Sequence, residues 1–317
     1  MGSLVNKRTG QRVMLRINHV FGRYGAHCDT YLQDEEVSRI HALIRWSGGR
    51  WLVVDQSRNG SFLDGQRLLV GQGMMLSAGQ KLRFGPSESS SWQVVDVMPP
   101  VSTLVPVDHF LPPIVLSRNN PLPTAAAPEL CIYEIEEGQW MLDDNQTSRL
   151  LSDGDAIQLA GRTYHLQLPG EAEETRTSLD LKAAAVPLLD FRLSLDEEHT
   201  RLQVFYGSQT ADLGERSHHY CLVTLARKRL SDVQAGFDRS AQGWLESPNL
   251  ARMLRIDVTH LNIQIHRARD QLMGALPAVG TLARIVERQR GRLRLGDGLA
   301  FEVYRGSELE GRYQPAY

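Results

Sequence analysis

Short apolar runs separated by turn residues fill residues 13–98, and this pattern constrains the fold more than any other feature of the chain. The runs at residues 14–17, 41–46 and 51–54 are short or alternate with period two, and Gly and Asn residues lie between them. Such runs between turn signals are typical of β-strands rather than helices. The segment therefore predicts a small all-β domain whose strands present polar loops.

Three polar blocks lie between these runs. They are Gly22-Arg23, Ser38-Arg39-Ile40-His41, and Asp55 followed by Asn59-Gly60-Ser61. Guanidinium groups are forked donors suited to a phosphate, and a serine hydroxyl can donate to the same oxygens. An asparagine amide can hold a peptide backbone. Together the blocks predict a loop site for an anion carried on a peptide.

The order and spacing of these blocks, with a later hairpin at residues 76–85, resemble the forkhead-associated (FHA) domain. That family is a β-sandwich that binds phosphothreonine peptides through loops at one end. The resemblance covers residues 13–98. It implies that Arg23 contacts the phosphopeptide, that Ser38 and Arg39 bind the phosphate, and that Asn59 binds the peptide main chain.

The resemblance also implies that Gly22 and His41 support the loops without touching the ligand. The residues alone leave two alternatives open. In the first, Arg23 and Arg39 are ordinary solvated surface arginines. In the second, His41 binds the ligand. We expect phosphopeptide binding, with a phosphothreonine-containing protein as partner and a Ser/Thr kinase acting upstream.

The length and composition predict a multidomain protein. A chain of 317 residues with 42% hydrophobic content can bury more than one core. No apolar run approaches the roughly 18 residues of a membrane helix, and the N-terminus lacks a signal-like apolar core, so we expect a cytoplasmic protein without membrane contact. Cys28, Cys131 and Cys221 are isolated, which argues against a disulfide framework and a zinc site.

No sequence motif predicts an enzyme. A Gly-x-x-x-x-Gly-Lys-Ser phosphate loop, a Gly-x-Ser-x-Gly elbow and clustered metal ligands are all missing from the sequence. His218 and His219 are adjacent, but no carboxylate or cysteine pattern accompanies them, so we interpret them as a solvated start to a helix. We therefore expect neither catalysis nor a cofactor or metal.

The middle of the chain predicts a connector and a β-rich segment. Residues 99–128 are Pro-rich and are interpreted as an extended connector. In residues 129–169, the runs at 139–143, 151–159 and 163–168 are similar to those at 50–55, 76–84 and 92–97. This is either an incomplete second FHA-like β unit or a chance hairpin likeness that extends the first sandwich. It lacks the polar blocks, so we expect it not to bind phosphopeptide.

Residues 170–188 are interpreted as a polar tether. An acidic run there contains Thr175 and Thr177, with Asp180 three residues after Thr177. One interpretation is a solvated linker. The other is a phosphorylation site, favouring Thr177 because of Asp180, that binds the protein's own FHA loops or those of a second copy in a homodimer.

The last segment, residues 189–305, predicts a hairpin, three helices and a second hairpin, and either Asp257 or Thr259 is expected to cap the third helix. From Glu215 to Arg305 the chain has fifteen Lys and Arg against nine Asp and Glu, a net charge of 15 − 9 = +6. In the third helix Leu261, Ile265, Ala268 and Leu272 form one apolar stripe, which predicts that the amide and guanidinium groups between them are exposed. Such groups suit base edges and phosphates, and the charge suits a polyanion.

This order of elements and residues 265–272 resemble the winged helix-turn-helix of the OmpR/PhoB response-regulator effector domain. The resemblance implies that Asn262 and Arg267 face bases of double-stranded DNA. It places His260, Gln264, His266 and Arg269 at phosphate-facing or flanking positions, and it assigns the wing to Arg288, Arg290, Arg292 and Arg294. These four alternate with other residues, so we expect a β-hairpin with its arginines on one face. The alternative is a winged α+β fold kept for protein contacts.

Two functions follow from these interpretations. The first is a bacterial transcriptional regulator that reads phosphothreonine through an all-β FHA sandwich and binds DNA through a winged helix. The second is a non-enzymatic signalling adaptor in which both domains bind proteins. Salt-dependent DNA binding would separate the two.

Overall fold

The computed structural model describes residues 1–108, 111–169 and 185–315. Its residues divide into two compact units. The first contains Met1–Val115 and the segment that begins at Thr163; the second contains Leu116–Arg162 and the residues from 185 onward. The proposed phosphosites Thr175 and Thr177 lie outside the described residues. In the part of the chain that is described, no helix is long and apolar enough to cross a membrane.

The first unit contains a two-sheet β-sandwich of eleven strands. They are β1 (Ser3–Asn6), β2 (Arg12–Met14), β3 (Asn18–Gly22), β4 (Thr30–Tyr31), β5 (Ala42–Ser47), β6 (Arg50–Asp55), β7 (Ser61–Leu63), β8 (Gln66–Arg67), β9 (Gly73–Met75), β10 (Lys81–Phe84) and β11 (Ser91–Asp96). One sheet has the order β2-β1-β11-β10-β7-β8 and the other β4-β3-β5-β6-β9. This confirms the all-β prediction for the N-terminal segment.

Alternation along the strands builds the core of this sandwich. On β6, Trp51 and Val53 are fully buried, whereas Leu52 between them is half-buried on the other face. The Phe21 ring stacks on the Phe84 ring with 4.7 Å between centroids. These two residues come from different sheets, so their contact joins the layers and fixes the strand ends that carry the polar loops.

Eight further strands follow along the chain. They are β12 (Thr103–Pro106), β13 (Ile114–Val115), β14 (Asn119–Thr124), β15 (Ala127–Glu136), β16 (Gln139–Asp143), β17 (Ser148–Leu151), β18 (Ala156–Leu159) and β19 (Arg162–Gln167). In the first unit β13, β12 and β19 lie side by side. The prediction of an extended connector over residues 99–128 is wrong, because β12, β13 and β14 lie within it and Leu104 is fully buried.

The strand order in residues 103–167 repeats that of the FHA-like sandwich. In the second unit β14-β15-β16-β17 form an antiparallel sheet in the same chain order as β3-β5-β6-β9. β12 pairs with β19 as β1 pairs with β11. Trp140 on β16 is buried at the position of Trp51 on β6. The pairing order favours the internal repeat, although most of the predicted 129–169 extension belongs to the second unit.

The second unit also contains three helices and two more sheets. Their elements are β20 (Leu188–Leu193), β21 (Thr200–Tyr206), β22 (Gln209–Glu215), α1 (Ser217–Gln234), β23 (Leu245–Glu246), α2 (Ser247–Met253), α3 (Val258–Ala275), β24 (Val286–Gln289), β25 (Arg292–Leu295), β26 (Ala300–Arg305) and β27 (Glu308–Tyr313). The sheet orders are β22-β21-β20-β26-β27 and β23-β25-β24. The predicted order of hairpin, three helices and hairpin is present.

The start of α3 follows its sequence signal. Asp257 is the N-cap residue, and its side chain accepts the His260 backbone N–H at 2.7 Å. The stripe of Leu261, Ile265 and Leu272 is buried in the core of the second unit. The helix is therefore anchored by the residues that the apolar period predicts.

Candidate functional site

Three loops at one end of the first sandwich bring the predicted phosphopeptide residues together. Arg23 follows β3, and its backbone N–H donates to the Ser38 carbonyl at 2.9 Å while its Nε donates to the Val37 carbonyl at 3.2 Å. The loop after β6 reaches the same place, since Asn59 Nδ2 donates to the Glu36 carbonyl at 2.7 Å. The loops between β3 and β4, β4 and β5, and β6 and β7 thus form one connected surface.

Gly22 is required by close packing beneath this surface. A Cβ atom on Gly22 would lie 2.1 Å from the Arg39 carbonyl oxygen and 2.8 Å from Cys28 Sγ. No side chain fits at that distance, so only glycine lets the β3 end approach the Arg39 backbone. Gly22 therefore supports the loop that carries Arg39, as the resemblance implies.

His41 joins the second and third loops from inside. Its ring is fully buried; Nδ1 accepts the Ser38 backbone N–H at 3.0 Å, and Nε2 lies 3.4 Å from the Gly60 carbonyl oxygen. Burial lowers the pKa of His41 below its ordinary value. A neutral ring with the proton on Nε2 satisfies both partners, which makes His41 a structural histidine.

Asp55 fixes the Asn59 loop. Its buried carboxylate accepts the hydroxyls of Ser57 and Ser61, each at 2.8 Å from Oδ1, and Ser57 Oγ accepts the Gly60 N–H at 2.8 Å. Asp55 belongs to a predicted polar block but has no predicted role, and Ser57 is not among the predicted site residues. The spacing of Asp, Ser, Gly and Ser within seven residues was the available signal, because side chains of these types close short turns.

The site contains three exposed arginines and a serine hydroxyl that is oriented by a backbone hydrogen bond. Arg23, Arg39 and Arg58 are exposed, and within the described ranges no carboxylate forms an ion pair with any of them. Ser38 Oγ accepts the Arg58 backbone N–H at 3.2 Å, so its own proton is available to an incoming acceptor. Arg58 is a further cation that sequence analysis missed, although its position beside Asn59 could have indicated it.

The α3 residues predicted to face DNA lie differently from expectation. His260 and Arg267 are exposed, but Asn262, Gln264, His266 and Arg269 are buried. The prediction that these four groups are exposed is wrong. The cause is the β14–β15 hairpin, which packs on this side of α3: Asn119 Nδ2 lies 2.9 Å from His266 Nδ1.

A buried ionic network closes this interface within the second unit. The Arg288 Nε lies 2.8 and 2.9 Å from the two carboxylate oxygens of Asp143, and Arg288 Nη2 donates to Asn262 Oδ1 at 2.7 Å. The Arg269 guanidinium lies 3.9 Å from the centroid of the Tyr133 ring and 3.5 Å from Asp143 Oδ2. Three of the predicted DNA-binding side chains, His266, Arg269 and Arg288, therefore contact the β14–β17 sheet, and Asn262 binds Arg288.

The predicted wing does not place its arginines on one face. Arg288 pairs with Leu293 across β24 and β25 and shares its buried face. Arg292 and Arg294 lie on the opposite face, where both guanidinium groups approach the Trp244 ring, and Arg294 also pairs with Glu287 at 2.7 Å. Arg290 is exposed at the turn between the strands. The expectation of a single arginine-lined face is wrong.

The adjacent histidines of α1 are also buried, so their interpretation as a solvated helix start is wrong. His218 Nε2 and His219 Nε2 lie 2.8 and 2.9 Å from Gln271 Oε1. Burial lowers the pKa of His219 to about 4. The pair joins α1 to α3 as neutral rings. Among the residues that the structure describes, no group of three His, Cys, Asp or Glu could hold a metal ion.

Comparison with known proteins identifies the first domain. Residues 19–85 match the sequence model of the FHA domain. The first unit thus contains an FHA domain, a module of phosphothreonine-dependent protein interaction. An Arabidopsis thaliana homolog of protein phosphatase 1 regulatory inhibitor subunit PPP1R8 is 38% identical over 74 residues, 23% of this chain and 20% of that protein. This chain spans about a fifth of that relative's length.

Solved structures are also similar to part of the chain. The FhaA FHA domain, complexed with the intracellular domain of Rv3910, is 29% identical and covers 30% of this chain and 99% of its own, with a TM-score of 0.26. The N-terminal FHA domain of S. cerevisiae Rad53p with a phosphothreonine peptide is 23% identical, covering 31% and 91%, with a TM-score of 0.27. Mycobacterium tuberculosis EmbR with a low-affinity phosphopeptide is 21% identical, covering 31% and 25%, with a TM-score of 0.28.

Proposed function

We propose that this protein is a non-enzymatic adaptor that binds a phosphothreonine segment of a partner protein through its FHA loops. The observation that carries the proposal is the cluster of Arg23, Arg39 and Arg58 around the prepared Ser38 hydroxyl. Ser38 and Arg39 bind the phosphate, and Arg23 contacts the phosphopeptide. Asn59 binds the peptide main chain, and charge-assisted hydrogen bonds supply most of the selectivity for phosphate.

The second unit serves the adaptor as a protein-facing module. A winged domain that reads DNA through its third helix needs the polar side of that helix free for the major groove. Here Arg269 and Arg288 are buried and pair with Asp143 of the β14–β17 sheet, and Asn262 accepts from Arg288. Removing the two arginines from Asp143 would leave buried charges unpaired, which costs several kcal/mol. This favours the adaptor over the transcriptional regulator.

DNA binding is the second candidate, because some of the predicted DNA-binding side chains remain exposed. His260, Arg267, Arg290 and Arg292 are exposed, and phosphate contacts from such groups do not require the buried side of α3. Such binding would be weakly sequence-selective and would fall steeply with salt. Anisotropy with labelled duplex DNA at several salt concentrations tests it. A tight, sequence-selective complex would favour the regulator instead.

The phosphothreonine function is tested by peptide binding. Fluorescence anisotropy compares a degenerate phosphothreonine peptide pool with the same pool carrying threonine. We expect binding only of the phosphorylated pool, and Ser38→Ala or Arg39→Ala should each cost about 1.5–3 kcal/mol. Arg45→Ala is the matched control, because Arg45 is an exposed arginine on β5 outside the three loops. Equal binding of both pools, or wild-type affinity in the Ser38 and Arg39 variants, would contradict the proposal.

A further inference from the structure

The outer face of the sheet that contains β1, β2, β10 and β11 carries a row of side chains with a cation at each end. Arg12 pairs with Val5, Val5 with Gln93, and Gln93 with Lys81, so these four residues lie side by side on four strands. Leu82, next to Lys81 in the chain, lies in the core, so the row faces away from the core. With strands about 4.8 Å apart, Arg12 and Lys81 lie roughly 14 Å from each other.

A surface cavity on this face is lined by further cations. Lys7 and Arg8, in the turn between β1 and β2, line this cavity of about 520 Å³ together with Lys81. Lys7, Arg8 and Arg12 are exposed, and within the described ranges no carboxylate forms an ion pair with any of them. The Asp34 carboxylate, which Arg8 affects at longer range, accepts two serine hydroxyls instead. Three cations on this face therefore have no paired counter-charge.

One carboxylate of the chain itself is bound on this face. Glu88 accepts from Lys81 Nζ at 2.6 Å, from Arg83 Nη1 at 2.8 Å and from Ser91 Oγ at 3.0 Å, although its side chain is 65% exposed. The hydrogen bond from Lys81 is the largest of the causes that lower the pKa of Glu88 to about 2. The face is therefore suited to carboxylates. We call it the basic face, and its cations are Lys7, Arg8, Arg12, Lys81 and Arg83.

We propose that the basic face binds an acidic segment of a partner protein, at a site that is separate from the phosphothreonine loops and does not depend on them. Unpaired cations are complementary to Asp and Glu side chains. An extended segment presents alternate side chains on one side about 7 Å apart, so three of them match the row of roughly 14 Å. A nucleic acid fits less well, because the Arg83 guanidinium covers the Phe62 ring on this face at 4.6 Å and keeps it from stacking on a base.

The experiment uses the full chain and a fluorescent peptide in which glutamate alternates with serine. A second peptide has glutamine in place of each glutamate, and neither peptide contains threonine or phosphate. We expect anisotropy to detect binding of the glutamate peptide alone. Its affinity should fall between about 50 mM and 300 mM salt, because salt screens ion pairs between exposed groups.

Two double variants locate the bound peptide. Lys7→Gln with Arg12→Gln should weaken binding of the glutamate peptide roughly threefold to tenfold, the effect of losing two exposed ion pairs. Arg45→Gln with Arg50→Gln is the matched control. It removes the same charge from exposed positions on the other sheet of the sandwich, and it should keep the wild-type affinity.

Glu88→Gln should have the opposite effect, a gain of about threefold, because Lys81 and Arg83 lose their own carboxylate and become available to the peptide. Equal binding of the glutamate and glutamine peptides, or equal losses in the two double variants, overturns the proposal. Loss of the glutamate peptide in Arg39→Ala assigns it to the phosphothreonine loops and also overturns it. So does tighter binding of a single-stranded DNA of equal charge that the Lys7 and Arg12 variant loses, since the face then binds nucleic acid. Phosphothreonine binding is measured separately and stands or falls without this contact.

Discussion

Arg288 Nε lies 2.8 and 2.9 Å from the two carboxylate oxygens of Asp143, and both side chains are buried within the second unit. The two residues are 145 positions apart in the chain. One belongs to the predicted wing and the other to β16, so their pairing makes the β14–β17 sheet part of the helical domain. A domain boundary placed at residue 189 would separate Arg288 from its carboxylate.

Removing the carboxylate should destabilise the second unit strongly. Asp143→Ala leaves Arg288 and the neighbouring Arg269 buried without a counter-charge, and breaking a buried pair costs about 3–5 kcal/mol. Urea unfolding followed by the helical circular dichroism signal measures the loss, because α1, α2 and α3 all belong to the second unit. The control is Arg149→Ala, because the Arg149–Asp155 pair is partly exposed and contributes at most about 1 kcal/mol. Equal losses in the two variants would contradict the structural role of the network.

The sequence predicts most of the local features, which depend only on residues that are close together in the chain. The strand pattern, the Gly22-Arg23, Ser38 to His41 and Asn59 blocks, and the Asp257 cap of α3 are all encoded within short windows. Turns and caps need few residues, so their residue types indicate their geometry. The sequence also located the α3 stripe, because a helical period identifies the face that meets the nearest core.

The burial of the polar face of α3 could not be predicted, because it depends on residues that are distant in the sequence. Asn262, Gln264 and His266 are polar, and an amphipathic pattern assigns polar residues to solvent. Here the three side chains are buried, and a distant part of the chain contacts two of them: Asn119, 147 residues earlier, contacts His266, and Arg288 donates to Asn262. The Pro-rich stretch was misjudged for a related reason. Pro121 and Pro123 lie in β14, an edge strand of its sheet, where a missing N–H is tolerated.

Gly22→Ala should weaken phosphopeptide binding although Gly22 has no ligand-binding group. The added Cβ would sit 2.1 Å from the Arg39 carbonyl oxygen, so the Arg39 loop must shift away from Arg23. We expect at least a tenfold loss of affinity, about 1.4 kcal/mol, measured by calorimetry. Gly25→Ala is the control: its Cβ would have no neighbour nearer than 3.9 Å. Wild-type affinity in Gly22→Ala would show that the close approach is not needed.

Acid should destabilise the protein in the range from about pH 6.5 to 4. Burial lowers the pKa of His19 and of His219 from 6.5 to about 4, and each is neutral when folded. In that window the unfolded chain binds more protons than the folded one, so the free energy of unfolding falls as pH falls. Each fully buried histidine contributes up to about 1.4 kcal/mol per pH unit. The same direction holds for His41, His218 and His266.

Urea midpoints at several pH values measure this dependence. His219→Gln should flatten the slope, whatever it does to stability at pH 7, since glutamine does not titrate. His260→Gln, at an exposed position, should leave the slope as in wild type. A slope that His219→Gln does not change, or stability that rises on acidification, would contradict the assignment of neutral buried rings.

Asp55 should matter to phosphopeptide binding through its hydrogen bonds rather than its charge. Oδ1 accepts the Ser57 and Ser61 hydroxyls, whereas the buried Oδ2 has no hydrogen-bond partner in the described part of the chain. Asp55→Asn keeps an oxygen for the two serines and should retain most of the affinity. Asp55→Ala removes the acceptor, frees the Asn59 loop and should cost about 1.5–3 kcal/mol in stability, with a parallel loss of peptide affinity. Calorimetry and urea unfolding on both variants decide between the two causes. An Asp55→Asn variant as impaired as Asp55→Ala would show that the carboxylate charge itself is required.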